Sequence, residues 1–283
     1  MNARNRFLSV FSMVSRIPVR AAFDFDISRI DFWLPVMGVF PALLAGGIVF
    51  VMRMLFPADT LPAAVAALAA QYFCFNLFHL DGLMDSADAF LGTGSAEKRL
   101  AILKDSRIGV YGFFAGTFAL LFKTALLAGL IPLAAAYPFA LFSGPVSGRA
   151  AAALVPVIAP PQNETGLGAL SKNNRAGRVF AGIFTGALVW FLLAWAGTFF
   201  AFKLGLCGAP PFLSGDFDAR RFCMLSLLPF AAVLTAFPVA RLYRKGIGGY
   251  TGDALGAAVE IGETIHLALV FVLARLLVPA AVP

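Results

Sequence analysis

The sequence predicts an all-α fold, a polytopic transmembrane helical bundle of about seven membrane helices with the active site on the cytoplasmic side. Three observations point to it. Of 283 residues, 60% are hydrophobic and only 13% charged, where a soluble domain carries roughly 25% charged residues to keep its surface wet. Phe alone contributes 30 residues, difficult to hide in one water-soluble core but free to face lipid. Apolar stretches approaching the roughly 20 residues that a bilayer demands recur along the chain. No internal repeat or low-complexity linker interrupts them, so residues 1–283 read as a single integral membrane domain.

Taken in order, the spans are Trp33–Phe56, Leu61–His79, Tyr111–Ile131, Ala135–Ile158, Phe180–Leu206, Phe222–Leu242 and Thr264–Val282. Pro57, Pro62, Pro132 and Pro138 punctuate the junctions, which predicts that the first four pack as two tight hairpins with short outer turns. The N-terminal segment opens with Arg4 and Arg6, but Ser9, Ser12, Ser15 and Arg16 break its apolar core, so it reads as retained and not as a signal peptide.

Basic residues fall mostly on alternate loops: Arg4, Arg6, Arg16, Arg20 and Arg29; Lys98, Arg99, Lys104 and Arg107; Lys172, Arg175 and Arg178; Arg241, Arg244 and Lys245. The other side offers only Arg53, Lys203, Arg220 and Arg221. The positive-inside rule then places the N-terminus and the long loops in the cytoplasm of a cell inner membrane, and an odd helix count puts Pro283 outside. That rule also accounts for the net charge of +7 without nucleic acid as a partner; membrane lipid is the expected one. Lys123, Arg149 and Arg275 fall within spans, where charge is costly; Lys123 and Arg149 are functional candidates and Arg275 is expected to snorkel.

Cys74, Cys207 and Cys223 have no metal-ligand spacing, and no disulfide framework is implied, although a Cys207–Cys223 bridge is geometrically open. His79 and His266 are too few for a histidine-built metal centre.

The most informative segment is His79-Leu80-Asp81-Gly82-Leu83-Met84-Asp85-Ser86-Ala87-Asp88, which follows directly on an apolar span. Asp81, Asp85 and Asp88 stand at i, i+4 and i+7 and share one face if the helix continues. Their mutual repulsion is relieved by a divalent cation with hard oxygen ligands. Mg²⁺ fits an oxygen-only cluster better than zinc, and its habit of keeping substrate phosphates as ligands predicts a phosphate-bearing substrate. The bland alternative is a solvated acidic helix face.

Downstream, Lys104 and Arg107 lie at i and i+3, a spacing that on a helix would let them clamp a diphosphate or a leaving phosphate. Their bland role is to anchor the next span. Asp105 is either a further ligand or a partner of Arg107. Near the C-terminus, Gly246-Ile247-Gly248-Gly249-Tyr250-Thr251-Gly252-Asp253 reads as a loop entering a helix, able to offer backbone N–H groups to phosphate while lacking the spacing and Lys of a P-loop. Asp253 and Glu260, at i and i+7, offer a second acidic face.

The His79-x-Asp81-Gly82-x-x-Asp85-x-x-Asp88 run, the Lys104-Asp105-Ser106-Arg107-Ile108-Gly109 run and the Gly249-x-Thr251-Gly252-Asp253-x-Leu255-Gly256-Ala257 run resemble, in order and spacing, the three signature blocks of the cobalamin synthase family, the adenosylcobinamide-GDP ribazoletransferases. Ser15-Arg16-Ile17-Pro18 and Asp31-Phe32-Trp33-Leu34-Pro35 resemble the family's opening. Met84 and Ala89 depart from it, standing where the family pattern has Ala and Gly. The resemblance implies transfer of the cobinamide phosphate of adenosylcobinamide-GDP to α-ribazole or its 5′-phosphate, with GMP released and Mg²⁺ required. Carried onto these residues, it makes Asp81, Asp85 and Asp88 the metal ligands, and Lys104 and Arg107 the groups facing the leaving GMP. Asp88 or Asp105 becomes the general base, while His79, Gly248, Gly249, Thr251, Gly252 and Asp253 contact substrate. Homo-oligomerisation and association with other enzymes of the pathway stay open.

Two other readings are weighed. A CDP-alcohol phosphotransferase would need Ala-Arg soon after Asp-Gly, and Met84-Asp85 does not supply it. A divalent-cation transporter would place its acids in mid-span, away from cytoplasmic Lys and Arg.

Overall fold

A computed structural model describes residues 2–166, 168–208 and 218–278. Among them the chain forms α1 (Ala3–Val14), α2 (Ile30–Met37), α3 (Val39–Leu55), α4 (Thr60–Gln71), a π turn (Tyr72–Asn76) leading directly into α5 (Leu77–Leu91), α6 (Ala96–Ile102), α7 (Val110–Leu130), α8 (Pro138–Phe142), α9 (Gly144–Ile158) and α10 (Ala176–Lys203). They are followed by α11 (Ala219–Leu227), a 3₁₀ stretch (Leu228–Thr235), α12 (Ala236–Ile247) and α13 (Gly252–Leu277). Among the described residues, six continuous helical stretches are long and apolar enough to cross a bilayer: Ile30–Leu55, Thr60–Leu91, Val110–Leu133, Ala176–Lys203, Ala219–Ile247 and Gly252–Leu277. The molecule is a multi-pass helical membrane bundle.

The expected fourth span, Ala135–Ile158, is not one helix. Pro138 opens the five-residue α8, the chain bends at Ser143, and Pro145 enters the first turn of α9, which runs for only 15 residues. Every residue from Gly144 to Pro156 is buried, so α9 is enclosed by protein up to its last two residues. The second predicted hairpin is therefore absent: α9 packs chiefly on α13 and α2, while the first hairpin, α3 against α4, forms as expected. The last span begins at Gly252, twelve residues before the predicted Thr264, because the glycine-rich segment stops at Thr251. Pro283, assigned to the outer side, lies outside the described residues, as does the end of the predicted Thr264–Val282 span.

Outward faces are apolar. Phe114, Phe118 and Phe122 stack along α7 at successive turns, and Phe180, Phe184, Leu192 and Phe200 are exposed on α10. Such continuous apolar surface is stable against lipid and not against water. Arg275 is exposed and its guanidinium lies over the Phe271 ring. The three cysteines are free, so the Cys207–Cys223 bridge does not form.

Helix α13 is the centre of the assembly. A Cβ on Gly262 would fall 2.9 Å from the Gly148 Cα of α9, and one on Gly82 would fall 2.9 Å from the Asp253 carbonyl oxygen and 3.2 Å from the Gly256 Cα. Small residues at these crossings let backbones approach without a driving force from water. The Gly82–Gly256 crossing brings the start of α13 against the acidic segment of α5.

Candidate active site

All three signature blocks meet at one end of the bundle. The helix does continue through Leu91, so Asp81, Asp85 and Asp88 lie on it in sequence, Asp81 exposed and the other two half-buried. Asp253 enters from the first turn of α13, half-buried, and its Oδ2 accepts a hydrogen bond from the Thr251 hydroxyl at 3.0 Å. Asp85 lies within electrostatic reach of Asp81, Asp253 and Asp88, and Asp253 within reach of Asp81. Among the described residues none of these four carboxylates forms an ion pair.

Asp88 differs from its row. Its two oxygens accept the backbone N–H groups of Gly109 and Gly112, at 2.7 and 2.8 Å, capping the N-terminus of α7 from another helix. A helix start leaves such amides unsatisfied, and Gly109 provides no side-chain cap of its own. A Cβ at either glycine would collide with the carboxylate. Gly112 was not singled out by the sequence reading; its signal is the Gly-x-x-Gly spacing at the head of α7.

The cap also fixes the basic segment. Helix α6 ends at Ile102, so Lys104 and Arg107 do not share a helical face as predicted; they lie on the exposed loop between α6 and α7. Arg107 makes a two-pronged contact with Asp105, Nε to Oδ1 at 2.9 Å and Nη2 to Oδ2 at 2.6 Å. Those hydrogen bonds, with the Arg107 backbone amide, hold the Asp105 carboxyl down at about 2. A carboxylate that weakly basic is a poor general base, and its contacts in this structure are those of a partner of Arg107.

The glycine-rich segment also differs from its expectation. Gly248 takes a left-handed conformation with φ +88° and ends α12, donating its N–H to the Arg244 carbonyl. Gly249 is buried because a side chain there would meet the Pro160 carbonyl oxygen; this approach lets Tyr250 donate to Pro160 and accept from the Gln162 amide, both at 2.9 Å. These glycines therefore splice the segment onto the loop after α9. The amides left for an anion are those of Gly252 and Asp253, in the first turn of α13.

Other contacts complete the convergence. Arg99 of α6 donates to the Gly246 carbonyl at 3.3 Å, and the Ser86 and Tyr243 hydroxyls share a hydrogen bond at 2.6 Å that joins α5 to α12. Neither pair was legible as a site feature in the sequence. His79, expected at the substrate, is 4% exposed beneath the carboxylates; its backbone packs under Gly256 and its Nδ1 has no partner among the described residues.

The donor set is oxygen-only and unneutralised by cations, the chemistry that suits a hard divalent ion. Among the described residues no three His, Cys, Asp or Glu side chains are gathered closely enough to hold an ion unaided. Mg²⁺ characteristically takes one or two carboxylates and completes its shell with water and substrate phosphate, and an open pair of carboxylates fits that habit.

The chain matches the family model described as cobalamin-5-phosphate synthase over residues 6–272. Among curated proteins it is 34% identical to an adenosylcobinamide-GDP ribazoletransferase of Azorhizobium caulinodans, covering 92% of this chain and 93% of that one. It is 30% identical to the protein of the same name from Treponema denticola, covering 94% and 96%, and 30% identical to that of Shewanella amazonensis, covering 92% of each. No solved structure matches. The chain belongs to the cobalamin-5-phosphate synthase family.

Proposed function

We propose that this protein transfers the cobinamide phosphate of adenosylcobinamide-GDP to a ribose hydroxyl of α-ribazole other than the 5′-hydroxyl, one that stays free in α-ribazole 5′-phosphate as well, giving adenosylcobalamin or its 5′-phosphate and GMP late in cobalamin biosynthesis. The observation that carries the reading is the meeting of three family blocks, far apart in sequence, around unneutralised carboxylates at one end of a membrane bundle. In the displacement, the ribazole hydroxyl oxygen forms a bond to the phosphorus that bears cobinamide, the bond from that phosphorus to the bridging oxygen breaks, and GMP departs with the electron pair. Asp81 and Asp85, with Asp253, would hold Mg²⁺, which would neutralise the diphosphate and lower the barrier to displacement. Asp85 would accept the hydroxyl proton through the carboxylate oxygen not given to the metal; among the described residues neither it nor Asp81 is tied to a protein donor. Asp88 positions the basic loop, from which Lys104 and Arg107 meet the leaving phosphate. The first-turn amides of Gly252 and Asp253, with Thr251, orient the diphosphate. His79 supports the α5–α13 crossing from beneath. The basic loops at this end orient it toward the cytoplasm, with the N-terminus on the same side of the inner membrane.

The test is GMP release by detergent-solubilised protein given adenosylcobinamide-GDP and α-ribazole, with and without Mg²⁺, beside an Asp85→Asn variant of matched monodispersity. GMP and a cobalamin forming together, only with the metal and not with the variant, are expected. Metal-independent turnover would sink the Mg²⁺ assignment, and no turnover with either ribazole substrate in lipid would sink the transfer itself.

A further inference from the structure

Below the carboxylate mouth, the same helices carry a second polar cluster that the transfer does not use. Lys123 of α7 donates to Glu260 Oε2 at 2.8 Å and to Glu263 Oε2 at 3.0 Å; Arg149 of α9 donates to Glu263 Oε1 at 3.1 Å. Asn76 donates to Glu260 at 3.0 Å and Glu263 at 2.9 Å, and the Tyr72 hydroxyl donates to Glu260 at 2.6 Å. All six side chains are buried, Arg149, Glu260 and Asn76 completely. Two cations face two anions, so the cluster is neutral as a whole and does not resemble an ion pathway, whose acids would be left to bind cargo.

Tyr72 and Asn76 are the two ends of the π turn. Leu77 donates its N–H to the Tyr72 carbonyl, five residues back, which marks one residue inserted into the helical ladder. An insertion rotates everything after it by about 100°, one residue's share of a helical turn. It also frees carbonyls that a membrane interior cannot hydrate. Two are satisfied from outside the helix: Cys74 O accepts the Arg16 amide at 2.8 Å, and Phe75 O accepts Arg149 Nη2 at 3.4 Å, beside the Arg149 contact to Asn76 Oδ1 at 3.1 Å. On α13, Asp253, Gly256, Glu260 and Glu263 follow at i, i+3, i+7 and i+10, one stripe whose upper end meets α5 at the mouth and whose lower end grips the π turn.

We propose that the Lys123–Glu260–Glu263–Arg149 cluster and Asn76 form a positioning device: by holding the π turn against α13 they set the rotational phase of α5, and so aim Asp81 and Asp85 at Asp253. The consequence for turnover rests on the site reading above, but the phase of α5 can be measured without substrate. In a background with Cys74, Cys207 and Cys223 replaced by alanine, single cysteines at positions 83, 84, 87, 89, 90 and 91 are reacted with a membrane-impermeant maleimide. The protected positions are expected to include 87 and 89, with 91 reactive, as their burial dictates.

Lys123→Met with Glu260→Gln removes one cation and one anion together and leaves Arg149 with Glu263. The expected result is a protected set that moves off 87 and 89 by about one residue, with transfer falling at least tenfold. An unmoved set, or a uniform rise in reactivity at all six positions, would overturn the proposal and make the cluster a stability element only. If the double variant is not recovered monodisperse, Asn76→Ala, which changes no charge, is read by the same criterion. A rotated set with unaltered transfer would support the device and sink the site reading instead.

Discussion

Helix α13 takes part in two acidic clusters only a few turns apart, and they are built in opposite ways. At the mouth, Asp253 faces Asp81 and Asp85 of α5 with no cation among the described residues to neutralise them. Deeper in, Glu260 and Glu263 are matched by Lys123 and Arg149 and hydrogen-bonded to Asn76 and Tyr72. Buried charges persist when every partner is in place, and removing one partner strands the rest. Carboxylates left facing one another persist only when something from outside, water or a cation, shares the site. The lower cluster has its counter-charges within the protein; the upper one has none among the described residues, which is why the proposed function places a cation there.

The sharpest way to break this comparison is to remove one acid from each. Glu263→Ala leaves Lys123 and Arg149 each short of a buried partner and should cost about 3–5 kcal/mol, enough that little monodisperse protein is recovered. Asp85→Asn relieves repulsion, so its melting temperature in detergent should equal or exceed that of the wild type while transfer is lost. Melting curves for the two variants, side by side, check both; equal destabilisation would erase the distinction.

A smaller effect is expected where the mouth meets the basic loop. Gly112→Ala pushes a methyl into the Asp88 carboxylate and shifts the α6–α7 loop, with a loss of about 10–100-fold in kcat, typical of misplacing catalytic groups by an ångström. Steady-state kinetics at several Mg²⁺ concentrations would show the fall without a changed metal requirement; a shifted requirement would instead make Asp88 a ligand.

The smallest effect belongs to Asp105. Its folded value, about 2, lies below the ordinary carboxylate value, so its link to Arg107 is intact above about pH 4 and weakens only as pH falls toward 2. Asp105→Asn should therefore leave the acid limb of the pH–rate profile where it is in the wild type, with kcat within threefold. A displaced limb would return Asp105 to the chemistry.

The bilayer class, the acids on α5 and the three blocks were legible from composition and spacing because each is local: a run of apolar residues, an i, i+4, i+7 row, a glycine cluster. The failures were tertiary. The segment Ala135–Ile158 has the length of a span, but its prolines split it and neighbouring helices bury α9 up to its last two residues. Lys104 and Arg107 have helical spacing, but α6 stops before them because the loop is drawn to Asp88. Asp88 has the spacing of a ligand, and its two oxygens are occupied by amides more than twenty residues away in sequence. The intramembrane Lys123 and Arg149 stood out as costly charges, but their partners Glu260 and Glu263 lie over a hundred residues away.

By itself, then, the sequence determined the solvent and the approximate span pattern and offered candidates for the chemistry, since hydropathy and helical period act over one or two turns. Only the tertiary structure decided which carboxylates are free and which are capped or paired. That depends on where backbones cross at Gly82–Gly256 and Gly148–Gly262, and on one inserted residue in the helix before α5, whose rotation no local pattern reveals.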